Sequence, residues 1–198
     1  MRRERTRSAE ETTVYQLKVT LRGTRPPIWR RFLVPGEIPL SQLHGVLQVV
    51  MGWEGGHLHQ FRVGKTNYGE PNPDFGFEVE NEDKVRLTEV LRRPKARMVY
   101  EYDFGDGWEH DIVLEAVRSG TPGARYPVVL AGRRRCPPED VGGIGGYYHF
   151  LEVMGDPKHP EHKDLREWWS GSFHPESFDV DVLNQALRGK PRGRRPDV

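Results

Sequence analysis

The sequence predicts a single α+β domain: a mixed, mainly antiparallel sheet with one packed helix and a C-terminal helical layer. Three observations carry this expectation. Residues 14–22 alternate apolar and polar side chains with a period of two, as a half-buried strand does. Residues 97–117 repeat that alternation on both sides of Gly105-Asp106-Gly107, which reads as a hairpin. Leu40, Leu43, Leu47 and Val50 recur instead at helical spacing.

In chain order, residues 1–12 are charged and poor in apolar side chains, and a disordered tail is expected there. The domain proper is expected over 13–188. Its first strand places Tyr15, Leu17, Val19 and Leu21 on one face and Gln16, Lys18, Thr20 and Arg22 on the other. Gly23 and Pro26-Pro27 interrupt the run, and Ile28 to Val34 restarts as a hairpin partner. The helix from Leu40 stops at Gly52, the residue type that best tolerates a left-handed C-cap. In His57-Leu58-His59-Gln60-Phe61, alternation predicts a third strand with His57, His59 and Phe61 on one face. Residues 64–84 read as a long loop with one short strand, and Val85 to Leu91 as a short helical turn. The order of these elements is similar to that of a ubiquitin-like β-grasp sheet. Beyond Val117 come a short strand at Val128 to Leu130 and a helix beginning near Gly146 and closed by Asp156-Pro157. Two further helices follow, at Glu161 to Trp169 and at Phe178 to Leu187, the last with Ser177 as cap. Residues 189–198 form a basic tail.

The hairpin register follows from the apolar pattern. A three-residue loop with Gly107 left-handed pairs Phe104 with Trp108, Tyr102 with His110, Tyr100 with Ile112 and Met98 with Leu114. This keeps the large apolar side chains together, whereas a two-residue loop would pair Tyr102 with Asp111. The chosen register crowds Asp103 against Glu109 and Glu101 against Asp111, like-charge pairs that need neutralising. Arg97, Arg30 and Arg31 are the internal candidates for Glu101 and Asp111. A ligand or cation is the candidate for Asp103 and Asp106 near the turn, with His110.

Thirty Lys and Arg balance twenty-nine Asp and Glu, so net charge selects no class of partner. The basic clusters Arg2-Arg3-Arg5-Arg7, Arg133-Arg134-Arg135 and Lys190-Arg192-Arg194-Arg195 predict at most weak, salt-dependent, non-specific nucleic-acid binding. Cys136 is the only cysteine, which excludes an internal disulfide and fits the reducing cytoplasm. No stretch approaches the length of a membrane span, so no membrane partner is expected.

Four ordered motifs, LHGVLQVVMGW followed by HLHQF, then YDFGDGWEH, CPPEDVGGIGGY and FHPESFDVDVLNQAL, resemble the plasmid pRiA4b Orf-three-like family. The likeness runs from about Tyr15 to Leu187. It implies an α+β domain of prokaryotic and mobile-element origin without a settled activity, among relatives that include insertion-element passenger proteins labelled TnpR. That label hints at a resolvase, but Ser8, in the charged N-terminal tail, is not placed as a recombinase nucleophile would be.

Candidate chemistry is sparse. His57 and His59 share a strand face and could hold a divalent metal with His110 or Glu54; the alternative is that they donate hydrogen bonds at the sheet border. Asp103, Asp106, His110, Glu139, Asp140 and Tyr147 are the candidate ligand-binding residues. The run GGIGG lacks the ending of a phosphate-binding loop and reads as close packing at a helix start, with Glu139 and Asp140 favouring that helix's positive end. No nucleophile motif occurs. The expected function is that of a non-catalytic binding or accessory protein, with an unidentified protein or small molecule as partner. A metal-dependent hydrolase and a DNA-binding accessory factor are the alternatives.

Overall fold

The computed structural model describes residues 12–72 and 78–189. The charged tails expected at the two ends, including Ser8 and the clusters at Arg2 and Lys190, lie outside the described residues apart from Thr12 and Gly189.

Eight strands form one open sheet: β1 (Thr13–Leu21), β2 (Trp29–Pro35), β3 (His59–Val63), β4 (Thr66–Gly69), β5 (Glu80–Asn81), β6 (Arg97–Tyr102), β7 (Trp108–Ser119) and β8 (Val128–Arg133). Their order across the sheet is β5-β4-β3-β6-β7-β1-β2-β8. Every pairing is antiparallel except that of β4 with β5. The helices are α1 (Leu40–Met51), the short α2 (Leu87–Val90), α3 (Gly143–Gly155), α4 (His162–Trp169) and α5 (Val180–Leu187). This is the expected α+β class. The order of elements behind the β-grasp comparison is present, and the segment read as a loop with one short strand holds two, β4 and β5.

The alternation in β1 does what its period requires. Tyr15, Leu17, Val19 and Leu21 are buried, while Gln16, Lys18 and Thr20 stay half-exposed on the opposite face. Removing each large apolar side chain from water contributes about 1.5–3 kcal/mol, which fixes the face this strand presents. Leu40, Leu43, Leu47 and Val50 of α1 complete the core, with Trp53 beyond the left-handed Gly52 cap. Tyr147 and Phe150 of α3 join the same cluster.

The hairpin register differs from the expected one by two residues. Tyr102 faces Trp108, Tyr100 faces His110, Met98 faces Ile112 and Glu101 faces Glu109. The loop is Asp103 to Gly107, with both ends left-handed (φ 57° and 66°). Its cause is local: Asp103 Oδ1 accepts hydrogen bonds from the N–H groups of Gly105 and Asp106, so the carboxylate builds the turn. A slip of two leaves every side chain on its own face, so the apolar pattern could not detect it.

The like-charge crowding therefore falls on different partners. Glu101 opposes Glu109, Asp111 opposes Val99, and Asp103 belongs to the loop. The neutralising arginines are Arg62, 3.5 Å from Glu101 and 2.5 Å from Glu109, and Arg22, 2.6 Å from Glu109 and 2.7 Å from Asp111. They replace the expected Arg97, Arg30 and Arg31. Arg31 pairs instead with Glu115 at 2.6 Å. Arg30 points into the core, where it donates to the carbonyls of Trp29, Val50 and Arg133 and to Cys136 Sγ. At α5 the cap is Asp179 rather than Ser177, because Asp179 Oδ1 accepts from Asp181 and Val182 N–H.

Candidate functional site

The pairing of β3 with β6, in which His59 lies opposite Tyr102, carries the histidine segment to the base of the β6–β7 turn. The N–H of Asp103 donates to Leu58 O at 2.8 Å and locks the two segments together. A third segment, residues 134–142, runs in from β8 and delivers Glu139 and Asp140. These three segments converge at one end of the sheet.

At their meeting point the His57 ring lies between two carboxylates. Nδ1 is 3.7 Å from Asp103 Oδ2 and Nε2 is 3.3 Å from Asp140 Oδ1. Among the described residues, His57, Asp103 and Asp140 form the one group of potential metal donors, one ligand atom from each and all within 4.8 Å of one another. Asp103 is buried and Asp140 exposed, and both are left-handed, at φ 57° and 59°. Such backbone costs about 1–3 kcal/mol per residue and persists only where the surroundings enforce it.

Glu139 and Asp106 border this group. Glu139 accepts a hydrogen bond of 2.5 Å from Tyr102 Oη and another from Glu54 N–H at 3.2 Å. Burial first, and Glu139 second, raises the Tyr102 pKa well above its ordinary value, so the phenol stays the donor. Asp106 Oδ2 accepts from Gly142 N–H at 3.2 Å. None of the four carboxylates, Asp103, Asp106, Glu139 and Asp140, lies within ion-pair distance of a lysine or arginine among the described residues. The outer face of the same hairpin, neutralised by Arg22 and Arg62, is the contrast.

The expected metal trio of His57, His59 and His110 does not assemble. His59 stacks on His44 with ring centroids 3.5 Å apart, and its Nε2 sits 2.9 Å from Glu82. His110 is wholly buried, with Nδ1 3.2 Å from Tyr100 O and the Trp53 ring edge-on at 5.2 Å. Burial holds its pKa down at about 4, and that of the half-buried His44 at about 3, so both rings are neutral at neutral pH. Tyr147 is a packing residue, 3 % exposed against Phe173, and burial pushes its phenol up to about 12. Glu139 and Asp140 turn to Tyr102 and His57; α3 begins at the left-handed Gly142 without a side-chain cap. Glu82 and His44 had no local sequence signal, and only the fold brings them to His59.

The glycines at the start of α3 serve close packing. A Cβ on Gly143 would lie 2.5 Å from Asp106 O, and one on Gly146 would lie 1.8 Å from Val141 O. The turn and the helix start can therefore touch backbone to backbone, which places Asp103 and Asp140 on either side of His57. Cys136 is buried, and burial raises its thiol pKa, which makes it a poor nucleophile.

Fold and site together define an α+β protein with one open, mainly antiparallel sheet and a carboxylate-rich mouth at the end of its central hairpin. The family model for plasmid pRiA4b ORF-3-like protein matches residues 13–182, and the chain belongs to that family. The uncharacterized protein y4hQ of Sinorhizobium fredii is 39 % identical over 177 residues, covering 88 % of this chain and 91 % of that protein. A crystal structure of a protein of unknown function, MM3350 from Methanosarcina mazei Go1, is similar with a TM-score of 0.78 and 35 % identity. That match covers 86 % of this chain and 97 % of that one. No helix among the described residues is long and apolar enough to cross a membrane.

Proposed function

We propose that this protein is a non-catalytic, cytoplasmic accessory protein of plasmids and mobile elements that binds a positively charged group at the mouth formed by His57, Asp103, Asp106, Glu139 and Asp140. The observation that carries the reading is electrostatic: Asp103 and Asp140 flank the His57 imidazole, Asp106 and Glu139 lie on the same turn and loop, and no lysine or arginine is in ion-pair reach among the described residues. Like charges gathered without counter-charge favour an incoming cation. The non-catalytic reading draws support from how the polar groups are engaged. Glu139 and Asp106 are committed to structural hydrogen bonds, and Cys136 is buried.

Calorimetric titration of the purified chain with three classes of cation tests this: a divalent metal, spermidine and an oligo-arginine peptide. Binding of at least one class, lost in Asp103→Asn/Asp140→Asn, is the expected result. Silence from all three overturns the reading.

A metal-dependent hydrolase is the second reading, favoured by the convergence of His57, Asp103 and Asp140 from three segments. Metal-requiring turnover of a nitrophenyl phosphate ester, abolished by Asp103→Asn, would select it. The DNA-binding reading loses part of its basis, because the Arg133-Arg134-Arg135 cluster is divided. Arg134 pairs with Glu176 at 2.7 Å, and Arg135 stacks over Trp169 and Phe173.

A further inference from the structure

We infer that His57, Asp103 and Asp140 form a binding site for a single first-row divalent cation of the manganese or zinc type. This rests on the reading of the mouth as a cation-binding site and names the cation. The first observation is the donor set itself: one imidazole and two carboxylates, from three separate segments, with donor atoms mutually within 4.8 Å. Metal–donor bonds of about 2.0–2.2 Å put neighbouring donors about 3–3.5 Å apart. A ring holds one ion through one nitrogen. Nδ1, 3.7 Å from Asp103 Oδ2, is within a few tenths of an ångström of that spacing. Asp140, whose Oδ1 lies 3.3 Å from the opposite nitrogen, swings towards Nδ1 to join.

The second observation is independent of the clustering. Asp103 is buried, at 8 % exposure for the residue and 11 % for its side chain, and its two oxygens are treated differently. Oδ1 accepts from the Gly105 and Asp106 N–H groups, whereas Oδ2 has no hydrogen bond among the described residues and looks only towards His57, at 3.7 Å. Oδ2 is therefore the oxygen left to take an incoming cation. Oδ1 meanwhile anchors the side chain, so Oδ2 is held in place without rearrangement.

The class of cation follows from the donors. Calcium and magnesium prefer sets made of oxygen alone, whereas the imidazole nitrogen suits zinc, and the carboxylates with completing water suit manganese. Asp103 and His57 supply two ordered donors. Asp140, with 69 % of its side chain exposed, is the adaptable third that closes around the ion and completes the coordination with water. The Asp106–Gly142 hydrogen bond positions the helix-α3 loop against the turn, so Asp106 acts on the site as a positioning residue.

The test is titration of the chelator-stripped full chain with MnCl2 and ZnCl2, combined with electron spin echo spectroscopy of the manganese form. One equivalent should bind, with nitrogen coupling from a coordinated imidazole. His57→Gln should abolish that coupling, while Asp103→Asn and the exposed Asp140→Asn each weaken binding at least about tenfold. Thermal melts of all three variants show that they remain folded, and Asp140→Asn keeps the test valid if the buried variant does not. No binding of either metal, or binding unchanged in every variant, overturns the inference. Should spermidine or oligo-arginine bind where both metals fail, the metal site falls and the cation-binding mouth stands; if none binds, both fall.

Discussion

The peptide oxygen of Asp106 occupies the space where Gly143 would carry a side chain: a Cβ there would lie 2.5 Å away. Gly143 is also left-handed, at φ 67°. Gly143→Ala should therefore be destabilised twice, by about 1–2 kcal/mol of backbone strain and by loss of the turn's contact with α3. A fall in melting temperature of at least about 2–8 °C is expected. Gly145→Ala is the matched control, because a Cβ at Gly145 meets nothing within 4 Å. Its melting temperature should hold or rise, since alanine is the better helix former.

Arg62 bridges Glu101 and Glu109, which face each other across the hairpin. Removing it leaves two carboxylates opposed, a repulsion of roughly 0.2–1 kcal/mol. Arg62→Ala should lower stability by about that amount in denaturant titration. Adding Glu101→Gln should recover most of the loss, since one charge of the opposed pair is then gone. Equal losses in the presence and absence of Glu101→Gln would count against the pairing.

Acid should destabilise the protein through His110. Its folded pKa, about 4, lies below the ordinary value of 6.5, because burial opposes charge. The unfolded chain then binds the extra proton first. The stabilisation is complete above about pH 6.5 and is lost as pH falls towards 4, by roughly 3 kcal/mol in all. His110→Asn should flatten the stability profile in that window, read by urea midpoints at successive pH values.

Cys136 should resist thiol reagents in the folded state. It is buried, its Sγ accepts a hydrogen bond from Arg30, and burial raises its pKa. Ellman's reagent should label it only in denaturant. Rapid labelling of the native chain would contradict the buried placement.

Periodicity alone determined which side chains face the core. The period of two in β1 and in the β6–β7 hairpin, and the helical recurrence in α1, each leave only one arrangement that removes the large apolar groups from water. The motifs of the family resemblance drew the three site segments into view separately. Tertiary structure decided what periodicity leaves degenerate. Register was free to shift by two because that shift preserves faces, and the Asp103 carboxylate, bonding to its own turn, settled it. Partner choice was equally hidden. Arg62 reaches the hairpin acids from β3 and Arg22 from the turn just after β1, elements that neighbour the hairpin only in the sheet, and His59 leaves His57 for Glu82, 23 residues away. The site depends on contacts distant in sequence, between a strand pair, a turn and a helix start, and local pattern holds no record of such contacts.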